Sequence, residues 1–207
     1  MRIINAGYEI VTPIDGTSVL KCIEQAGRIC YKSEDKTTND SCRKFVKSLI
    51  SRGHEAVIEH FSFTVKFICD RGVSHEVVRH RIASFAQEST RYCNYSADKF
   101  GKEITVIKPF FWNETSQYYR EWQKACLNSE KSYFALLDSG ATPQEARSVL
   151  PNSLKTEIIV TMNLRQWRHF LTLRTAKESH PQIREIACPL LTELKALIPI
   201  VFDGIEY

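Results

Sequence analysis

The chain has 207 residues, of which 43% are hydrophobic and 25% charged, and its formal net charge is +4. This length and composition predict one globular domain over residues 1–207 and exclude a collagen or a disordered tail. No apolar run approaches the roughly 20 residues of a spanning helix, so we expect no membrane segment. Seven cysteines without a C-x-x-C pair predict reduced thiols in a cytoplasmic protein.

The eight glycines exclude two phosphate-binding motifs. No two of them lie closer than nine positions, whereas a dinucleotide fingerprint needs three glycines within six residues and a phosphate loop needs two before a lysine. If the protein binds a phosphorylated ligand, side chains must therefore hold the phosphate.

Apolar periodicity predicts strands and helices in an irregular order. The predicted strands cover residues 1–12, 60–70, 90–97, 104–109 and 156–163. The predicted helices cover residues 17–31, 41–52, 73–81, 116–140, 143–150, 164–174 and 181–198. Because regular βαβ alternation is missing, we expect an α+β fold with a mainly antiparallel sheet flanked by helices, one of them long.

Basic side chains are concentrated in residues 71–92, RGVSHEVVRHRIASFAQESTRY. Four arginines lie in this segment: Arg71, Arg79, Arg81 and Arg91. A guanidinium is always charged and matches phosphate bidentately, so the segment favours a phosphorylated ligand. A solvated basic helix face and a nucleic-acid-binding patch are the alternative interpretations.

The stretch RHRIASFAQESTRY (79–92) resembles the signature of the flavin-dependent thymidylate synthases, Arg-His-Arg followed after seven residues by Ser. Further segments resemble this family in the same order: GHEAVIEH (53–60), EARSVLP (145–151) and NLRQWRHFLTLR (163–174). The chain departs from the family pattern at Ala56, Val57, Glu76, Ala86 and Gln87, where the family often has Thr, Pro, Gln, Asn and Glu.

The resemblance implies a methyltransferase of nucleotide biosynthesis that converts dUMP to dTMP by reductive methylation. It implies FAD as the cofactor of a flavoprotein, NADPH as the reductant and 5,10-methylenetetrahydrofolate as the carbon donor, so the protein mainly binds and orients the reactants. A nucleic-acid-binding module and a flavin reductase without methyl transfer are the alternative functions.

The resemblance also assigns FAD-binding roles to the signature and to the segment that begins at Asn163. The implied FAD-binding residues are Arg79, His80, Arg81, Gln87, Asn163, Leu164, Arg165 and His169. Arg165 and His169 are four residues apart, so a helix places them on one face.

The implied dUMP-binding residues overlap with this set. They are Glu76, Val77, Val78, Arg79, Gln87, Glu88, Ser89, Thr90, Arg91, Arg147 and Arg174. Arg174 is the implied catalytic residue, because a fixed positive charge against the pyrimidine stabilises negative charge that develops on the ring.

The remaining expectations concern His54, metals and assembly. By resemblance, His54 lies near the flavin and gates the folate or reductant side. His54 and His60 are six residues apart, which does not fit the i, i+4 pair of a helical zinc site, and we expect no metal. The family implies a homotetramer with active sites shared between subunits, and neither nucleic acid nor membrane as a partner.

Overall fold

The computed structural model describes residues 1–207, with the exception of the Lys99 side chain. The strands are Arg2–Ile4 (β1), Gly7–Ile10 (β2), Ser62–Asp70 (β3), Ser84–Gln87 (β4), Thr105–Ile107 (β5) and Lys155–Asn163 (β6). The helices are Gly16–Tyr31 (α1), Ser41–Ser51 (α2), Arg71–Val77 (α3), Gln117–Asp138 (α4), Pro143–Ala146 (α5), Leu164–Arg174 (α6) and Pro181–Leu197 (α7).

The main sheet has four strands in the order β2-β3-β6-β4 and is mainly antiparallel. Strand β3 fits its predicted alternation, since Phe63, Val65 and Phe67 are buried. A second sheet pairs β1 with β5 in parallel, with Ile3 opposite Val106. Together with the long helix α4, these sheets confirm the predicted α+β fold class.

Backbone contacts divide the chain into two compact units. Unit 1 comprises Met1–Gly7, Phe67–Arg79 and Ala86–Ile158. Its core contains Tyr95, Ile104, Val106, Cys126, Tyr133, Ala146 and Leu154. Cys93 packs against this core. Ser116 caps the start of helix α4 because its side chain accepts the Tyr119 N–H, and Gly140 follows the end of the helix with a φ of +93° that favours glycine.

Unit 2 comprises Tyr8–Lys66, His80–Phe85 and Ile159–Tyr207. Helix α6 lies in its core because Trp167 and Phe170 are completely buried. The Trp167 ring stacks on Phe63 with 4.9 Å between centroids, and its indole N–H donates to the Phe63 carbonyl at 3.1 Å. These contacts fix the helix whose other side chains line a cavity described below.

Four local predictions are wrong. Residues 1–12 form two strands in different sheets, β1 and β2. The predicted helix 73–81 starts two residues earlier, at Arg71, because the Asp70 carboxylate caps α3 by accepting the Val73 N–H at 2.6 Å. The predicted helix 73–81 ends at Val77, and residues 90–97 form turns instead of a strand.

No helix in the described part of the chain has the length and apolarity needed to cross a bilayer.

Candidate functional site

Helix α6 places polar side chains along a cavity in unit 2. Strand β6 gives way to the helix at Asn163, whose side chain accepts the Gln166 N–H at 2.9 Å. A cavity of about 600 Å³ is lined by Glu55, Glu59, Ile82, Asn163, Arg165, Gln166, Arg168, His169 and Thr172. Three of the predicted flavin-binding residues, Asn163, Arg165 and His169, therefore share one cavity.

The charges of this cavity are balanced. Arg165 pairs with Glu59 at 2.6 Å, and Arg168 pairs with Glu55 at 3.1 Å. Sequence reasoning missed Glu55, Glu59 and Arg168 as lining residues, although the segments GHEAVIEH and NLRQWRHFLTLR contain them. Arginines beside carboxylates suit a ligand that carries both phosphates and hydroxyl groups, because each group finds a charged hydrogen-bonding partner.

His80 and Arg174 form a buried contact in unit 2. The His80 side chain is 4% exposed, and its ring lies edge-on to Phe170 with 4.8 Å between centroids. Arg174 Nε donates to His80 Nε2 at 3.0 Å. Burial lowers the pKa of His80 to about 4, and the positive charge of Arg174 and the neighbouring His169 act in the same direction.

These contacts determine which nitrogen of His80 carries the proton. Arginine Nε can only donate, so His80 Nε2 must accept, and the hydrogen-bond network assigns the proton of the neutral ring to Nδ1. His80 Nδ1 is buried and has no hydrogen-bond partner among the described residues. The ring therefore presents a donor for which the described residues supply no acceptor.

Unit 1 contains a second cavity, of about 540 Å³. It is lined by Arg71, His75, Thr90, Gln144, Arg147, Ser148, Leu150, Pro151, Asn152 and Leu154. No carboxylate is among these described lining residues. Arg147 donates to Thr90 Oγ1 at 3.3 Å, and Arg71 donates to the Glu88 carbonyl at 3.3 Å. Two guanidinium groups whose bonds to described residues go to neutral oxygens make this cavity suited to an anion.

The predicted residues Arg147 and Thr90 thus meet in this cavity, and sequence reasoning had left out Arg71 and His75 as lining residues. Arg71 stood in the basic segment that was identified, but the signature residues did not point to it. His75 also stood in the basic segment and Ser148 in the segment EARSVLP, whereas Asn152 had no signal in the sequence.

The segment between β4 and the following turns is anchored through its side chains. The Glu88 carboxylate binds Lys155 at 3.0 Å and the Tyr95 hydroxyl at 3.3 Å, so both of its oxygens are engaged. The Gln87 amide donates to Ser74 at 2.9 Å and to Thr156 at 3.2 Å. The Glu88 backbone is engaged as well, because its N–H donates to the Glu157 carbonyl at 2.9 Å and its carbonyl accepts from Arg71. The Gln87 carbonyl oxygen therefore remains as the side-chain group that can meet a ligand.

The other predicted residues differ in accessibility. Val77 and Leu164 are completely buried, so any ligand contact there comes from the backbone. Arg79, Arg81 and Arg91 are exposed, and the Arg91 guanidinium lies 5.5 Å from the centre of the Tyr92 ring. Glu76, Val78 and Ser89 are at least partly exposed, and Ser89 Oγ accepts the Arg91 N–H at 3.3 Å.

His54 is exposed on unit 2, where its Nδ1 lies 2.8 Å from the Tyr31 hydroxyl. Among the residues described, no group of three or more His, Cys, Asp or Glu side chains is arranged to hold a metal ion.

Comparison with known proteins identifies the family. Residues 14–200 match the family model described as "Thymidylate synthase complementing protein". A flavin-dependent thymidylate synthase from Geobacter sulfurreducens is 35% identical over 184 residues, which cover 86% of this chain and 78% of the relative. The chain belongs to the flavin-dependent thymidylate synthase family. A second such relative, from Pyrococcus furiosus, is 32% identical, with 88% of this chain and 74% of the relative covered.

The solved structures agree with this membership. PolB from Streptomyces cacaoi, a UMP/dUMP methylase bound with 5-bromo-dUMP, superposes with a TM-score of 0.80 at 26% identity and covers 98% of this chain and 96% of its own. The resemblance seen in the signature is therefore confirmed, and so is the assignment to a family of methyltransferase enzymes.

Proposed function

We propose that this flavin-dependent thymidylate synthase uses FAD to methylate dUMP to dTMP. The observation that carries the proposal is the carboxylate-free cavity of unit 1, because two arginines and neutral donors suit the phosphate of a nucleoside monophosphate. A structural relative, PolB, is a UMP/dUMP methylase bound with a dUMP analogue, which supports the same substrate class.

In this proposal, unit 1 binds the dUMP phosphate. Arg147 is already oriented by its bond to Thr90, and Arg71 is held by the Glu88 carbonyl. Ser89 and Arg91 add a hydroxyl and a further guanidinium on the same segment. The backbone of residues 76–79 and the carbonyl of Gln87 contribute polar contacts to the nucleotide.

The residues of unit 2 fit a flavin nucleotide. His80 Nδ1 is a buried donor with no acceptor among the described residues, and flavins offer carbonyl, ring-nitrogen and phosphate acceptors. Asn163, Arg165 and His169 line a cavity of about 600 Å³. We assign FAD binding to these residues, to the Leu164 backbone and to Arg81, all of which belong to unit 2. For Arg79 and Gln87, which belong to unit 1, an FAD-binding role rests on the family resemblance alone. When bound, reduced flavin supplies the hydride that completes the methyl group.

Arg174 is the proposed catalytic residue, since its positive charge stabilises negative charge on the pyrimidine as C5 attacks the incoming carbon. The carbon comes from 5,10-methylenetetrahydrofolate, and NADPH reduces the cofactor. We assign to His54 a gating role on the folate or reductant side of the flavin.

We further propose one catalytic domain over residues 1–207 that assembles as a homotetramer, with active sites shared between subunits, in the cytoplasm. Large exposed side chains, among them Tyr92, Ile82, Leu173 and Ile159, support an interface between subunits. The seven cysteines are all free thiols, which is compatible with a reducing compartment.

The test combines product analysis with one pair of variants. FAD-loaded protein incubated with dUMP, 5,10-methylenetetrahydrofolate and NADPH should form dTMP and NADP⁺ in equal amounts. Arg174→Ala should lose turnover and keep its flavin absorbance, whereas Arg120→Ala, a change at an exposed position of α4, should keep both. NADPH oxidation without dTMP would identify a flavin reductase and overturn the proposal.

A further inference from the structure

The two ring nitrogens of His80 have different tasks. Nε2 accepts from Arg174 at 3.0 Å, and Nδ1–H has no acceptor among the described residues. We propose that His80 positions the Arg174 guanidinium through Nε2 while it donates to the flavin through Nδ1, and so couples flavin binding to the action of Arg174. This inference rests on the proposed function of Arg174 and FAD.

Packing holds the His80 ring in the orientation that this coupling needs. The ring is 4% exposed, lies edge-on to Phe170 at 4.8 Å and faces His169 at 5.7 Å. Phe170 and Arg174 are four residues apart on α6, so the packing contact and the hydrogen bond come from the same face of the helix. A rotation of the ring would break both.

The bond at Nε restricts the whole guanidinium of Arg174. An arginine side chain has many rotamers in solution, but its guanidinium is planar, so a bond at Nε fixes the plane in which both terminal nitrogens lie. A charge that is oriented before the reaction stabilises developing negative charge without further reorganisation. His80 thereby contributes to turnover without touching the pyrimidine.

The coupling follows from the single proton on the ring. Nε2 accepts only while the ring is neutral, and burial together with Arg174 keeps it neutral. If Nδ1–H donates a hydrogen bond to the flavin, the imidazole ring is polarised. Nε2 then becomes a stronger hydrogen-bond acceptor for Arg174. Because linkage is reciprocal, dUMP that engages Arg174 should tighten flavin binding by the same factor.

Two substitutions separate the two nitrogens. In His80→Asn the amide nitrogen replaces Nδ1 and the acceptor for Arg174 is lost, and in His80→Gln the carbonyl oxygen replaces Nε2 and the donor is lost. We expect His80→Asn to bind FAD nearly as tightly as the parent, while kcat falls on the order of 10-fold or more. We expect His80→Gln to bind FAD on the order of 10-fold more weakly, with a smaller loss of kcat at saturating FAD.

Two comparisons exclude a merely structural role. Phe170→Leu perturbs the packing of the ring and keeps both hydrogen-bonding atoms, so it should shift FAD affinity and kcat together. The effects of Arg174→Lys and His80→Asn on kcat should be less than additive, because both changes remove the Arg174–His80 hydrogen bond. If His80→Asn and His80→Gln lose FAD affinity and kcat in the same proportion, the separate tasks of the nitrogens are refuted.

A measurement on the unaltered protein covers variants that fail to fold. ¹H–¹⁵N spectra of the histidine rings at pH 7 should show one neutral ring protonated at Nδ1, and FAD should shift that Nδ1 resonance. An Nε2-protonated ring, or no response to FAD, overturns the inference even when the parent protein forms dTMP. A parent protein that forms no dTMP would instead overturn the proposed function.

Discussion

Acid should destabilise the ligand-free protein through His80. Burial beside Arg174 lowers the pKa of this ring from 6.5 to about 4. In that interval the unfolded chain binds a proton that the folded chain does not, so stability is complete above pH 6.5 and falls as the pH approaches 4. Since each tenfold change in proton affinity is worth about 1.4 kcal/mol, the loss attributable to His80 approaches about 3 kcal/mol at pH 4.

Urea unfolding at several pH values between 4 and 7 measures this loss. His80→Gln cannot titrate, so the difference in unfolding free energy between it and the parent should change by about 2 kcal/mol between pH 7 and pH 5. His60→Gln, at an exposed position, controls for the removal of one histidine, and carboxylates contribute equally to all three proteins. Parallel curves for the parent and His80→Gln would refute the assignment of the neutral buried ring.

Two further predictions concern dUMP binding and the core. Arg71→Met should raise the KM for dUMP on the order of 10-fold because a charged hydrogen bond to phosphate is lost. The kcat should change less, and Arg120→Met serves as the control. An unchanged KM in steady-state kinetics would show that Arg71 does not bind the phosphate. Trp167→Ala should lower the unfolding free energy by about 3–5 kcal/mol in urea titrations, because the ring is completely buried and its N–H is bonded, and a loss below about 1 kcal/mol would contradict the packing.

The parts of the fold that sequence predicted correctly are those in which burial enforces the periodicity. Strand β3 alternates because Phe63, Val65 and Phe67 enter the interior, and α6 is helical with Trp167 completely buried. Residues 90–97 mislead because their aromatic residues resemble a strand, but the Ser89 carbonyl accepts the N–H groups of Tyr92 and Cys93 and closes a turn. Turns that are closed by local hydrogen bonds produce no apolar periodicity in the sequence.

The predicted helix over residues 73–81 shows the same limit. Its apolar spacing ends at Val77 and Val78, and the basic residues that follow do not supply an apolar face for packing. The structure accordingly ends the helix at Val77, and His80 is buried as a polar residue. Periodicity carries information only where the repeating residues are packed.

For the candidate site, the resemblance supplied the signature residues but not their surroundings. Glu55 and Arg168 are 113 positions apart in sequence and still share a hydrogen bond at 3.2 Å, which no short motif can indicate. The hydrogen bond between His80 and Arg174 joins residues that are 94 positions apart in sequence. The resemblance assigned a ligand to each of them but did not indicate that they contact each other. Long-range pairs of this kind depend on the tertiary fold.

Pairing with carboxylates distinguishes a structural arginine of the scaffold from the arginines of the candidate anion site. Arg28 is buried against Glu24 at 2.8 Å and lies 4.2 Å from the centre of the Phe45 ring, which makes it part of the scaffold. The Arg71 and Arg147 side chains are instead bonded to neutral oxygens, in a cavity without carboxylates among its described lining residues. Positive charges that no carboxylate neutralises repel one another and lower the free energy of unfolding. An anion that binds between them offsets this loss. Under the proposed function, these two guanidinium groups account for part of the net charge of +4.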